Sequence, residues 1–437
     1  MEFYRPDARQ APSANPSFRT LIAVFGKIGL LSFGGPAAQI ALMHRELVDE
    51  QRWLDERRFL SALSFCMLLP GPEAMQLATY TGWRLRGVKG GLVAGLLFVA
   101  PGAALVLALS ILYGALGHTP TVAALFVGVK AAVLAIVLQA LLRVGNRALK
   151  GRLDWIVAAA AFVAIFFLDL PFPLVIVGAA AAGYFLRVPA LASSPGEAMS
   201  PVPFSDTLLT LGVWLAVWIA PLLAIVAVFG SGHVLAQLAW FFSQLAVVTF
   251  GGAYAMLSYL AQVVVSGYGW LTPGEMLDGL GLAETTNGPL ILVNAFVGYI
   301  AALRAGGVGT GLLGALVTLW ATFAPSFLFI FVGAPYVERL THAPRLASAL
   351  QTVTAAVVGV IANLSVWFAL HVLFTQVDEL HAGPLRLFVP QLASLDVVAL
   401  LLSCLALGFV FVARWGIAAT LAACAVSALL WLGLLAL

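Results

Sequence analysis

The sequence predicts an all-α, polytopic membrane protein built from two inverted-topology repeats, with about nine full spans and four Gly/Pro-broken helical hairpins. Three observations predict it. Charged residues make up 9% of the 437 residues and hydrophobic ones 62%, whereas a soluble domain carries about 25% charge. Apolar stretches near the ~20 residues that a membrane helix needs recur along the whole chain. The sequence also repeats itself at a fixed offset of 217 residues. So few polar groups cannot cover a water-soluble surface, which excludes most cytosolic enzymes, nucleic-acid binders and secreted scaffolds. The net charge of +3 says little, because in a membrane protein the placement of Lys and Arg carries the information.

Residues 1–17 are polar and Pro-rich and read as a disordered cytoplasmic tail, not a cleaved signal. The first repeat occupies 18–187. It opens with two apolar segments, 18–48 and 58–84, broken at Phe33-Gly34-Gly35-Pro36 and Leu69-Pro70-Gly71-Pro72. Spans follow at 87–116, 119–142, 153–169 and 171–187. A polar linker covers 188–206, and 207–437 holds an extra span (207–229) and the second repeat. There the broken segments are 235–265 and 275–302, interrupted at Phe250-Gly251-Gly252-Ala253 and Thr286-Asn287-Gly288-Pro289. Spans at 308–334, 346–374, 394–413 and 416–437 complete the chain. Broken helices at membrane depth require that the freed backbone be buried in protein or line a cavity.

The offset places Phe25 on Phe242, Phe33-Gly34-Gly35 on Phe250-Gly251-Gly252, Trp53-Leu54 on Trp270-Leu271 and Gly71-Pro72 on Gly288-Pro289. After a seven-residue insertion, 90–101 meets 314–325. Rare residues matching at one offset argue for duplication. If the hairpins stay on one side, the extra span starts the second repeat on the opposite side from the first. The positive-inside rule tests that arrangement: 18 basic residues fall at expected cytoplasmic positions and 2, Arg304 and Arg386, at expected external ones. Lys27 and Lys130 are left inside the membrane. The partition predicts inversion.

Pro36 and Pro72 sit where proline suits the first turn of a new helix. Such a helix presents unpaired N–H groups and the positive end of its dipole, which together attract anions. Inverted repeats supply up to four such ends, at Gly34-Gly35-Pro36, Gly71-Pro72, Gly251-Gly252 and Asn287-Gly288-Pro289. A small divalent oxyanion matches them. Close helix packing is the competing reading for these glycines. Lys27 is either a functional ammonium or a lysine snorkelling to the cytoplasmic face, and Lys130 is either functional or structural. Arg45, near the cytoplasmic mouth, either draws anions inward or anchors the topology. Glu73 and Glu284 flank the breaks and are candidates for gating or proton coupling; for Glu73 a helix-capping role competes. Gln76, Thr285, Thr286, Asn287 and Asn294 are polar groups able to bind oxygens. Cys66, Cys404 and Cys424 lie in apolar runs without metal-ligand spacing, and the histidines form no cluster, so neither a metal, a cofactor nor a catalytic residue is expected.

These residues resemble the chromate ion transporter family, long-chain bidomain type. The matching text is SFGGPAAQIALMHRELV (32–48), FCMLLPGPEAMQLATYTGWRLRG (65–87), TFGGAYAML (249–257) and GWLTPGEMLDGLGLAETTNGPL (269–290). The resemblance spans both halves and implies membrane export of chromate, with sulfate as structural analogue. Two departures lie at a proposed binding break: Asn287 stands where the family has Pro, and Asn294 lies near a usual Gln. The expected partners are therefore a chromate- or sulfate-like oxyanion and the lipid bilayer, with a homodimer compatible and no nucleic acid. The expected location is a bacterial inner membrane with a cytoplasmic N-terminus. Exporting a dianion from an inside-negative cell is downhill by about 4.6 kcal/mol per 100 mV, twice the value for one charge. An importer or an anion channel of the same architecture is the alternative.

Overall fold

The computed structural model describes residues 16–117, 119–186, 204–250, 252–337 and 344–435. Helix α1 (Phe18–Leu31) starts where the Ser17 hydroxyl accepts the Thr20 N–H, an N-cap that satisfies one orphan donor. It stops at the Gly34-Gly35 pair, whose φ values of +89° and +78° lie in the left-handed region. Helix α2 (Gly35–His44) then begins with Pro36 in its first turn and passes into a π-turn over Arg45–Glu50. Helix α3 (Glu56–Leu68), capped by Asp55, ends at the second break, and α4 (Glu73–Leu116) follows it. Next come α5 (Pro120–Ala148), α6 (Arg152–Phe166) and α7 (Phe172–Leu186).

Helix α8 (Phe204–Phe229) precedes a second series of the same kind. Helices α9 (Val234–Val248) and α10 (Ala253–Gln262), a π-turn over Val263–Gly267, and α11 (Pro273–Thr285) parallel α1 to α3. A 3₁₀ turn at Leu290–Leu292 leads into α12 (Val293–Gly333), and α13 (Pro344–Leu373) follows. Helices α14 (Val397–Leu407, continued by a π-turn to Val412) and α15 (Ile417–Leu435) close the chain.

The segments 58–84 and 275–302 end before the next span, as expected: α4 and α12 each comprise two helices joined at a kink, at Arg86–Gly87 and at Gly306–Gly307, where Gly87 and Gly307 take φ of +63° and +78°. Glycine adopts that conformation without a Cβ penalty, and the two arms pack on each other: a Cβ on Gly82 would lie 2.3 Å from the Gly90 carbonyl oxygen, and one on Gly314 2.3 Å from the Gly298 carbonyl oxygen. One expectation needs correction: the fold is not wholly α. Strands β1 (Val377–Ala382) and β2 (Leu385–Pro390) form an antiparallel hairpin between α13 and α14.

Among the described residues, five helices are long and apolar enough to cross a membrane: Glu73–Leu116, Pro120–Ala148, Ser205–Phe229, Leu290–Tyr336 and Pro344–Leu373. The chain is thus a nearly all-α, multi-pass membrane protein. The remaining expected spans fall on shorter helices. At 15 residues each, α6 and α7 reach only about 22 Å, short of a ~30 Å hydrocarbon core.

The two series interlock. Helix α1 packs on α4 and α9 on α12, while α4 and α12 pack on each other. The short pair α6 and α7 leans on α13 from the other series, and α14 and α15 lean on α5. Close approach at the centre depends on Gly102 of α4: a Cβ there would lie 2.1 Å from the Asn287 carbonyl oxygen. The core is continuous and includes Phe25, Phe98, Phe242 and Phe296, all fully buried.

Candidate functional site

The four breaks converge. One small cavity takes Pro36 and Gln39 from α2, and Gly71, Pro72, Glu73 and Ala74 from the second break. It takes Thr249 and Ala253 from the third break, and Pro289, Leu290 and Ile291 from the fourth. Both repeats therefore contribute both of their interruptions. Gly251 lies outside the described residues, and its neighbour Gly252 precedes α10 with φ +101°.

The helices on either side of the breaks differ in how they begin. Helices α1, α3, α9 and α11 start with a side-chain cap, from Ser17, Asp55, His233 and Thr272. The four that start at the breaks do not: Gly34, Pro72, Gly252 and Pro289 offer no side-chain acceptor to α2, α4, α10 and the Leu290–Leu292 turn. First-turn N–H groups have no intrahelical partner. The uncapped starts thus gather donors and positive dipole ends around one space.

Two backbone bonds tie the breaks together reciprocally. The Gly71 N–H donates to the Thr249 carbonyl at 2.9 Å, and the Gly288 N–H donates to the Ser32 carbonyl at 2.8 Å. The 217-residue offset maps Ser32 onto Thr249 and Gly71 onto Gly288, so each repeat gives the other the same bond. Such an exchange is what a two-fold relation produces. It also removes the Gly71 and Gly288 donors from any ligand in this conformation.

Most of the polar side chains expected to bind oxygens are already committed. Thr285 and Thr286 donate to carbonyls of their own helix, those of Leu282 and Ala283. Asn287 donates to the Gly29 carbonyl at 3.1 Å and Asn294 to Thr322 Oγ1 at 3.1 Å. The Gln76 amide nitrogen bonds the Pro70 carbonyl at 2.6 Å. What remains on the cavity wall is backbone, together with Gln39 and Glu73. Glu73 is the single charged side chain lining the cavity among the described residues. Glu284 accepts from the Tyr254 hydroxyl at 2.9 Å.

The cationic candidates are paired. Lys27 Nζ lies 2.6 Å from Glu46, a buried carboxylate of the π-turn, and 3.5 Å from Glu50. Arg45 is exposed and faces Glu46 and Glu50 at 3.8 and 3.6 Å. Lys27 therefore joins α1 to the return arm of the first hairpin and not to Glu73. Lys130 on α5 meets Asp278 of α11 at 3.3 Å, and the Tyr113 hydroxyl of α4 donates to the same carboxylate at 2.7 Å. Sequence reasoning missed Asp278, Glu46 and Gln39. A signal existed for Asp278, since an acid in an apolar membrane hairpin implies a partner. Among the described residues, no group of three or more His, Cys, Asp or Glu gathers to hold a metal.

Comparison with known proteins gives the site a context. The profile of the family described as "Chromate transporter" matches residues 19–184 and 236–435, one stretch on each side of α8. The chain is 35% identical over 412 residues to a "Chromate transport protein" of Pseudomonas aeruginosa, covering 90% of this chain and 92% of that one. It is 29% identical over 365 residues to a "Chromate transport protein" of Cupriavidus metallidurans, covering 82% and 84%. A Bacillus subtilis protein, "Uncharacterized transporter YwrB", is 31% identical over 153 residues, which cover 35% of this chain and 77% of that protein. No solved structure matches the chain.

Proposed function

The chain belongs to the chromate transporter family, and from that premise we propose that it exports chromate, or a similar small divalent oxyanion such as sulfate, across a membrane. The observation that carries this reading is the meeting of four uncapped helix starts, two from each repeat, in one cavity. Backbone donors arriving from several directions suit a tetrahedral group of oxygens. Transport proceeds by alternating access between inverted repeats. The reciprocal Gly71–Thr249 and Gly288–Ser32 bonds support a two-fold axis, and the 18-to-2 partition of basic residues supports placing that axis in the membrane plane. The same partition supports a cytoplasmic N-terminus, and the bacterial relatives support placement in a bacterial inner membrane.

The cavity has a volume of about 20 Å³, room for roughly one water molecule. A four-oxygen anion fits only after the breaks separate, which favours a carrier over an open channel. Separation frees the Gly71 and Gly288 N–H groups for the ligand. Glu73 acts as the gate, since its negative charge competes with an entering anion for the same positive ends. Glu284 is the second candidate for proton coupling. Arg45 draws anions to the inner mouth, and Lys27 holds the first hairpin through Glu46.

The test is chromate uptake into inside-out vesicles carrying the protein, against vesicles lacking it. Accumulation that saturates and yields to excess sulfate is the expected result. No uptake at any imposed potential or pH gradient would sink the reading, and unsaturated ohmic flux would replace the carrier with a channel.

A further inference from the structure

Gln39 is 1% exposed and lines the central cavity. Its amide nitrogen donates to the Gly288 carbonyl at 2.6 Å and reaches the Ser32 carbonyl at 3.4 Å. Those two carbonyls fix which end of the amide is which, because rotating it would set Oε1 against two carbonyl oxygens. Oε1 is buried and has no hydrogen-bond partner among the described residues. Gln76 repeats the pattern at the second break: it is fully buried, its nitrogen is spent on the Pro70 carbonyl, and its Oε1 is likewise without a partner. A Cβ on Gly71 would lie 2.9 Å from that nitrogen, so the amide sits against a residue of the cavity wall.

A site for a fully deprotonated oxyanion needs donors alone. This one adds a buried acceptor on its wall, the Gln39 Oε1, and a buried acceptor left unmet carries a desolvation penalty. A ligand that brings its own O–H removes the penalty. We propose that Gln39 makes the site select the singly protonated oxyanion, HXO₄⁻. The Gln39 Oε1 accepts the ligand O–H while the uncapped helix starts hold the remaining oxygens. The proton then crosses the membrane on the substrate, and the species moved carries one negative charge instead of two. This rests on the cavity being the oxyanion site.

The experiment measures equilibrium binding of chromate and of sulfate to the purified full-length protein in nanodiscs, from about pH 6 to about pH 8. Chromate gains and loses its second proton near neutrality, whereas sulfate stays a dianion throughout. Chromate affinity is expected to weaken by about tenfold as the pH rises, the cost of leaving the one acceptor unmet. Sulfate is expected to bind at the weak end of that range without pH dependence. Gln39→Met removes the acceptor and should flatten the chromate profile toward that of sulfate. The comparison of the two anions needs no variant, so it stands even if a variant misfolds. Chromate binding as flat as sulfate binding overturns the proposal and leaves the cavity reading intact. Parallel pH dependence for both anions puts the proton on the protein, at Glu73, and also overturns it. If neither anion binds at any pH, the cavity reading fails and this inference falls with it.

Discussion

Replacing Asp278 by Asn tests what the intramembrane ion pair contributes. Lys130 Nζ and Asp278 Oδ1 stand 3.3 Å apart, with side chains 23% and 10% exposed, so little of the attraction is screened by water. At an effective dielectric of about 20, two unit charges at that distance attract by about 5 kcal/mol before desolvation is counted. Removing one partner leaves the other charge buried and unmatched, which typically costs about 3–5 kcal/mol. Asp278→Asn and Lys130→Met should each destabilise by that order. The double variant Lys130→Met/Asp278→Asn should lose less than either single one, because no buried charge is then left unmatched. Unfolding by SDS in mixed micelles, followed by tryptophan fluorescence, reads all four proteins. A coupling of about 3 kcal/mol between the sites is expected. Additive losses, or single losses below about 1 kcal/mol, would refute the idea that the pair locks α11 to α5.

Three further outcomes follow from contacts described above. Gly102→Ala pushes a methyl group against the Asn287 carbonyl, whose backbone cannot rotate away; a loss of about 1–3 kcal/mol should appear as a reduced monodisperse fraction in detergent, while Gly178→Ala, which meets open space, should change little. Thr272→Ala removes the capping box formed with Glu275 and should cost about 1 kcal/mol in the same SDS titration. Arg386 is 5% exposed, pairs with Asp169, donates to the Ile165 carbonyl at 2.8 Å and stacks on Phe388. Arg386→Ala should therefore speed amide hydrogen exchange across the 377–390 hairpin without altering exchange in α4.

Much of the site could be read from sequence because Gly and Pro are chemically blunt. A Gly-Gly-Pro or Pro-Gly-Pro run has few conformations compatible with an uninterrupted helix, and repetition at a fixed offset told which breaks belong together. Which atoms the breaks keep free is another matter. Asn287 and Gln76 read as ligand donors in one dimension, but their nitrogens are claimed by Gly29 and Pro70, a choice made only when helices pack. Lys27 read as a helper near the first break; its partner Glu46 sits on a π-turn that no periodicity announces. The kinks at Gly87 and Gly307, by contrast, fall where the sequence already divides its apolar segments, between 84 and 87 and between 302 and 308.

The interlocking of the two series also bears on how the molecule is made. Helices α6 and α7 rest on α13, which lies more than a hundred residues further along the chain. During synthesis the first series therefore enters the bilayer with one wall missing, and its two short helices lack the helix they chiefly pack on until the second series arrives. Assembly has to be a late, concerted event, with a period in which a half-built molecule is open to quality-control proteases. A cut between 187 and 203 would yield two fragments that each need the other before either becomes compact. Two self-sufficient machines joined by a tether would survive that cut; a molecule whose halves finish each other would not.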